Sequence, residues 1–99
     1  MELILLSKAD SEIQAAFNRY EDYQAGRGEL FLRHVDVAIG LILRNPQIGP
    51  VYENPYRRML VRDFPYGIFY QVQPKRIIIV ALMDLRQNPT LVRKSLGIK

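Results

Sequence analysis

Arginine is the residue type in this sequence that could most readily support binding or catalysis, because it recurs along the second half of the chain between apolar segments. Guanidinium groups hold phosphates and carboxylates through charge-assisted, often bidentate, hydrogen bonds. The sequence therefore predicts a cationic surface for an anionic partner. The side chains that we assign to target binding are Arg58, Arg62, Arg86, Arg93 and Lys94.

Metal-independent cleavage of RNA is the reaction that such a surface could support. The reaction requires cations around the scissile phosphate together with a positioned general acid and base. If the protein is a nuclease, its catalytic residues are Arg58, Arg62 and Arg86; otherwise we assign none. The candidates for proton transfer are only Asp84, Tyr66 and Tyr70. An acid beside Arg86 is more typical of a structural ion pair, and the tyrosines are more typical of packing.

Cofactor and metal chemistry lack the residues that they need. The sequence has no glycine-rich phosphate loop, no cysteine and a single histidine, His34. We therefore expect no cofactor and no metal. The longest apolar run, 77–83, is far shorter than the roughly 20 residues that cross a bilayer, so we expect no membrane span. An acid also stands where a signal peptide has basic residues, which favours a cytoplasmic protein.

The length of the chain predicts one domain, and the two halves of its sequence carry opposite net charges. A chain of 99 residues suits a single domain, 1–99. Residues 1–55 carry five basic and eight acidic side chains, whereas 56–99 carry nine basic and two acidic ones. The formal charges are therefore −3 and +7. This asymmetry favours an anionic partner, although a solvated face that only maintains solubility is the alternative.

The periodicity of apolar residues predicts an α+β fold. We expect a strand over 2–6, a helix that begins near a capping box at Ser7 and Asp10, and a second helix that begins around Glu29 and stops before Asn45. A glycine joint at 26–28 makes these helices an antiparallel hairpin. Residues 47–56 read as an irregular loop, and strands over 57–62, 68–73 and 76–83 then form a three-stranded antiparallel meander. With the N-terminal strand, they make one twisted sheet.

The strand over 77–83 is apolar at every position, so both faces of the sheet require burial. Two helices cover only one face. We therefore expect an apolar groove edged by arginines on the other face, which is typical of a protein-binding surface. The alternative is that the tail, 85–99, folds back as a helix and covers that face.

The order of elements, together with RRMLVRDFPYGIFYQV (57–72) and IIIVALMDLRQNP (77–89), resembles the RelE/ParE superfamily of toxins from bacterial type II toxin–antitoxin systems. The GRGE joint at 26–29 and the NPQIGP loop at 45–50 extend the resemblance over almost the whole chain. It implies a two-helix hairpin on a largely antiparallel sheet. It also implies hetero-oligomerisation with an antitoxin whose acidic or amphipathic flexible segment folds across the toxin; we assign that contact to Leu60, Arg62, Leu85 and Arg86.

The two branches of the superfamily differ in target. RelE-like members cut messenger RNA on the ribosome with a set of basic residues and a tyrosine or histidine in the tail. Here Arg58 and Arg86 match that set, but Leu60 and Gly67 replace two of its basic residues, and no tyrosine or histidine follows Arg86. ParE-like members lack the set and are associated with inhibition of DNA gyrase.

The resemblance thus implies a ParE-like growth inhibitor that binds DNA gyrase and is neutralised by a cognate antitoxin. One alternative is a RelE-like ribosome-dependent mRNA endonuclease with a diverged site, with the ribosome and mRNA as partners. A non-toxic binding module, or degenerate toxin, is the other.

Overall fold

A computed structural model describes residues 1–98. Two helices follow a first strand, four strands come next, and a short helix ends the described part of the chain. The elements are β1 (Glu2–Leu5), α1 (Ser7–Tyr23), α2 (Arg27–Arg44), β2 (Val51–Glu53), β3 (Tyr56–Leu60), β4 (Tyr66–Gln73), β5 (Arg76–Asp84) and α3 (Pro89–Ser95). The predicted α+β class, helical hairpin and three-stranded meander are confirmed.

The strands form one sheet in the order β1-β5-β4-β3-β2. The strand β1 runs parallel to β5, and the other neighbours are antiparallel. Leu6 ends the pairing of β1, so the β5 edge beyond Ile79 has no strand beside it. At this edge the backbone N–H of Leu82 donates instead to the carboxylate of Glu12 in α1, at 3.1 Å, so a side chain supplies the acceptor that a neighbouring strand would otherwise provide.

The main core lies between the helical hairpin and one face of the sheet. Phe31 of α2 is fully buried and contacts the rings of Tyr20, Phe64 and Tyr66 at centroid distances of 5.2, 5.2 and 5.4 Å. Such tilted and edge-to-face ring pairs add stabilisation beyond the burial of area. This aromatic cluster attaches the joint of the hairpin to the turn between β3 and β4.

The hairpin requires glycine at its joint. Gly26 has a φ of 88°, which glycine adopts without strain. At Gly28 a Cβ would lie 2.8 Å from the backbone oxygen of Phe17, so α2 approaches α1 closely at this point. Glu21 accepts hydrogen bonds from the N–H groups of both glycines at 2.9 Å and caps the start of α2.

A second, smaller core covers the opposite face of the sheet. Val92 of α3 and Leu96, which caps the end of that helix, pack on three buried residues of β4 and β5, Phe69, Ala81 and Met83. The prediction that this face stays uncovered is therefore wrong at its centre, and the alternative of a returning tail helix is correct. Asn88 accepts a hydrogen bond from the N–H of Thr90 at 2.8 Å, and Pro89 occupies the first turn.

Two further local predictions are wrong. Residues 51–53, predicted as part of an irregular loop, form β2, the edge strand beside β3. The N-terminal cap of α1 is Leu6, whose apolar side chain makes no capping bond, because Ser7 is already inside the helix. Within the described residues, no helix is both long and apolar enough to cross a bilayer.

Candidate functional site

A groove of about 550 Å³ lies where the 46–50 loop meets the edge strand β2 and its neighbour β3. Most of its lining is apolar: Ile48, Pro50, Val51, Tyr52, Met59 and Leu60, with the single cation Arg58. Leu60 and Val51 are 57% and 56% exposed. We call this feature the edge groove. An apolar groove is therefore present, but it lies at the β2–β3 edge of the sheet and not on the sheet face where the sequence predicted it.

One buried tyrosine positions the loop that walls the edge groove. The hydroxyl of Tyr70 donates to the carbonyl of Pro46 at 2.8 Å and accepts from the N–H of Gly49 at 2.9 Å. Arg57 donates to the carbonyl of Gly49 at 2.8 Å. A Cβ at Gly49 would lie 2.7 Å from the Tyr70 hydroxyl, so only glycine fits this contact. Burial raises the pKa of Tyr70, so its hydroxyl stays protonated to a higher pH than that of an ordinary tyrosine.

Arg58 lies beside the edge groove, on the face of the sheet that carries α3. Its guanidinium stands 5.3 Å from the ring centroid of Tyr52, at a distance suited to a cation–π contact. A Cβ on Gly67 would lie 3.1 Å from the Cγ of Arg58 and 3.1 Å from a methyl group of Leu85. Leu60 pairs with Gly67 in the sheet. Three of the predicted residues, Arg58, Leu60 and Leu85, are therefore brought together around Gly67.

Arg86 belongs to a different part of the surface. Its guanidinium donates to both carboxylate oxygens of Asp84, at 3.0 and 2.7 Å, which confirms the structural ion pair expected from the sequence. Arg86 lowers the pKa of Asp84, chiefly through these hydrogen bonds. The pair lines a cleft of about 320 Å³ with Arg19, Tyr20, Tyr23, Arg27 and Tyr66. We call it the arginine–tyrosine cleft.

The remaining predicted cations are dispersed. Arg93 of α3 forms an ion pair with Glu53 and thereby connects α3 to the edge strand β2. Lys94 is exposed on the same helix, and Arg62 is exposed in the turn after β3. The structure therefore divides the five predicted target-binding residues among the edge groove, the arginine–tyrosine cleft, α3 and a turn.

The candidates for proton transfer all make structural contacts. Asp84 holds Arg86, and Tyr70 holds the 46–50 loop. The hydroxyl of the buried Tyr66 accepts a hydrogen bond from Arg19 at 2.6 Å. His34 packs edge-on against Phe64, with a ring centroid distance of 5.6 Å. Within residues 1–98, no group of three His, Cys, Asp or Glu side chains could hold a metal ion.

Sequence reasoning missed Arg19 and Arg27 as functional candidates. Arg19 and Tyr23 are four residues apart and therefore share a face of α1, a spacing that could have drawn attention to them. Arg27 lies within the glycine joint, between Gly26 and Gly28, and its guanidinium lies 5.2 Å from the ring centroid of Phe64.

The model of the family described as "ParE toxin of type II toxin-antitoxin system, parDE" matches residues 3–89, which contain both long helices and all of the sheet except the first residue of β1. The chain belongs to the ParE toxin family. It is therefore a toxin of the type II class and a member of the RelE/ParE superfamily, as its sequence indicates. The match ends at Pro89, so α3 lies almost entirely outside the matched part of this ParE-family chain.

A solved structure agrees with the ParE fold. A chain of the "Chromosomal ParDE TA system from P. aeruginosa" superposes with a TM-score of 0.66 over 87% of this chain and 97% of the other. The two sequences are 18% identical, so the likeness concerns the fold alone. A search of curated protein sequences found no match.

Proposed function

We propose that this ParE-family chain inhibits bacterial growth by binding DNA gyrase, and that a cognate antitoxin neutralises it by occupying the edge groove. We prefer a binding function to a catalytic one because of a single observation. The three predicted candidates for proton transfer, Asp84, Tyr66 and Tyr70, make structural hydrogen bonds or ion pairs, whereas exposed cations such as Arg62 and Lys94 offer a binding surface. Gyrase as the target rests on membership of the family, whose ParE-like members are associated with its inhibition.

The geometry around Gly67 argues against a nuclease of the RelE type. Such an enzyme has an arginine at this position of the sheet, where its cation stabilises the phosphate. In this chain the stem of Arg58 and the side chain of Leu85 fill the space that a Cβ would meet. An arginine there would have to displace both neighbours, and the general acid and base would still be missing.

The edge groove has the chemistry expected of an antitoxin-binding surface. Leu60, Val51 and Ile48 offer exposed apolar area, and Arg58 adds a cation at the side. An amphipathic segment with an acidic residue complements both features. Ordering of a flexible segment costs conformational entropy, which burial of apolar anchors has to offset. We place the centre of this contact at Leu60, with Leu85 next to it beneath Arg58; Arg62 and Arg86 are predicted contacts farther along the antitoxin.

The target is tested by expression and by a purified reaction. Induction of the chain is expected to arrest growth with induction of DNA damage, and the purified protein is expected to inhibit supercoiling by gyrase. The double variant Arg62→Gln, Lys94→Gln should weaken inhibition, while Arg33→Gln, which removes one exposed charge from α2, serves as the control. Arrest with intact DNA, normal supercoiling and cleaved transcripts would reject gyrase in favour of mRNA cleavage. Harmless expression would support the non-toxic alternative.

The antitoxin contact is tested with a matched pair of variants. Leu60→Glu and Val37→Glu place the same charge at residues that are 57% and 61% exposed, one in the groove and one on α2. Burial of a whole leucine contributes about 1.5–3 kcal/mol, so loss of the remaining half and burial of a carboxylate should weaken binding about tenfold or more. Binding of the product of the adjacent short reading frame is measured by calorimetry. If the two variants bind with equal affinity, the antitoxin does not bind in the edge groove.

A further inference from the structure

The arginine–tyrosine cleft lies outside the edge groove, and most of its residues have no role in the function proposed above. It is contiguous with a second cavity of about 270 Å³, because both are lined by Arg19, Tyr66 and Asp84. The larger part, about 320 Å³, is of the size that holds small ligands or one unit of a polymer. The cleft and the edge groove have no lining residue in common.

The charges of the cleft favour an anion. It contains the guanidinium groups of Arg19, Arg27 and Arg86 and the single carboxylate of Asp84. Asp84 forms a bidentate pair with Arg86 and also attracts Arg19, so the lining of the cleft carries two more cations than carboxylates. Each guanidinium has five N–H donors, and Arg19 uses one terminal nitrogen for the hydroxyl of Tyr66.

The aromatic side chains distinguish between classes of anion. Tyr23 is 80% exposed, so its ring is available at the surface of the cleft beside Arg19 and Arg27. An acidic peptide would use the guanidinium groups but has no need of an exposed ring. A nucleic acid strand uses both, because phosphates bind the cations while unpaired bases stack on aromatic rings.

We propose that the arginine–tyrosine cleft binds single-stranded nucleic acid, with a phosphate held by Arg19 and Arg27 and an unpaired base stacked on Tyr23. A duplex does not fit this mode, because its bases are already stacked and paired. The proposal goes beyond gyrase and antitoxin binding and does not require either of them.

The test measures fluorescence anisotropy of labelled oligothymidylate and oligouridylate with the purified full-length chain. Tyr23→Ala should weaken binding roughly tenfold, whereas Tyr23→Phe retains the ring and should bind as the parent does. Because Tyr23 is so exposed, neither change is expected to disturb folding. Comparison of the two oligomers shows whether the site accepts DNA, RNA or both, and each of these results supports it.

Salt dependence tests the phosphate contacts separately. Arg19→Gln combined with Arg27→Gln should flatten the plot of log affinity against log salt by about 0.7, the contribution of the one phosphate that these two arginines hold on a single strand. Arg33→Gln removes an exposed charge from α2 outside the cleft and should change affinity less than twofold. Circular dichroism of each variant verifies that it is folded.

Several outcomes would overturn the proposal. They are absence of binding to both oligomers, tighter binding to a duplex of the same length, and an equal loss of affinity in Tyr23→Ala and Tyr23→Phe. Displacement of the oligomers by polyglutamate at equal charge concentration would assign the cleft to an acidic protein.

Discussion

Replacement of Tyr70 by phenylalanine removes a single oxygen from the interior and tests how the wall of the edge groove is held. The ring stays, so the packing of the main core is preserved. The hydroxyl that disappears accepts from the N–H of Gly49 and donates to the carbonyl of Pro46. Gly49 is buried, so its N–H is expected to lose its partner without gaining water in exchange.

The expected loss of stability follows from these two hydrogen bonds. Each contributes about 1 kcal/mol net, and an unsatisfied buried N–H costs about 1–3 kcal/mol. We therefore expect Tyr70→Phe to lower the free energy of unfolding by about 2–3 kcal/mol. This is a large part of the roughly 5–15 kcal/mol available to a domain of this size, and it corresponds to a fall in Tm of about 8–20 °C.

Urea denaturation and thermal melting measure the change, with Tyr56→Phe as the matched control. Tyr56 lies half-buried in β3, and its hydroxyl has no hydrogen-bond partner among the described residues, so its loss should cost less than about 0.5 kcal/mol. Because Ile48 and Pro50 wall the edge groove, Tyr70→Phe should also weaken antitoxin binding. Equal unfolding midpoints for the two variants would refute the role given to the Tyr70 hydroxyl.

Three other perturbations test local features of the fold. Gly28→Ala places a methyl group 2.8 Å from the backbone oxygen of Phe17 and should destabilise the hairpin by about 1–3 kcal/mol in urea melts; no loss would show that the helices separate easily. Glu12→Ala should cost about 1–2 kcal/mol because the N–H of Leu82 loses its acceptor, and Glu12→Gln, which keeps an acceptor oxygen, should cost less. Burial raises the pKa of Tyr70, so the unfolded chain releases this proton first and stability should fall as pH rises above about 10. The fall should be shallower in Tyr70→Phe, and identical pH profiles would contradict this assignment.

The helices and the meander could be predicted because their signals are local and long. The apolar period of α1 and α2 extends over 17 and 18 residues, and glycines and prolines separate the strands of the meander. The strand β2 could not be predicted in this way. It has three residues between Pro50 and Pro55, and its pairing with β3 is what makes it a strand.

The start of α3 was visible in the sequence, but the composition of the helix did not predict that it would be buried against the sheet. Asn88 followed by Pro89 is a typical helix start, and the structure uses both residues in that way. The segment has seven residues and is interrupted by cations, so its apolar content is too low to predict burial by itself. It becomes stable only because Val92 and Leu96 meet the apolar face of the sheet.

The candidate site was predictable where it follows strand alternation and unpredictable where it depends on distant contacts. Arg58 and Leu60 share a face because they are two residues apart in β3. Arg86, by contrast, pairs with Asp84 at the end of β5 and lines a different cavity from Arg58. The contact between Arg19 and Tyr66 joins residues that are 47 apart, and no spacing rule indicates it.

The division of the cations between the edge groove and the arginine–tyrosine cleft allows the two proposals to fail separately. Leu60→Glu alters the groove and no residue that lines the cleft, whereas Tyr23→Ala does the opposite. If both proposals hold, Leu60→Glu weakens antitoxin binding and retains oligonucleotide binding, while Tyr23→Ala retains antitoxin binding and weakens oligonucleotide binding. Loss of both functions in either variant would mean that the two sites act as one surface, because neither exposed side chain supports the core.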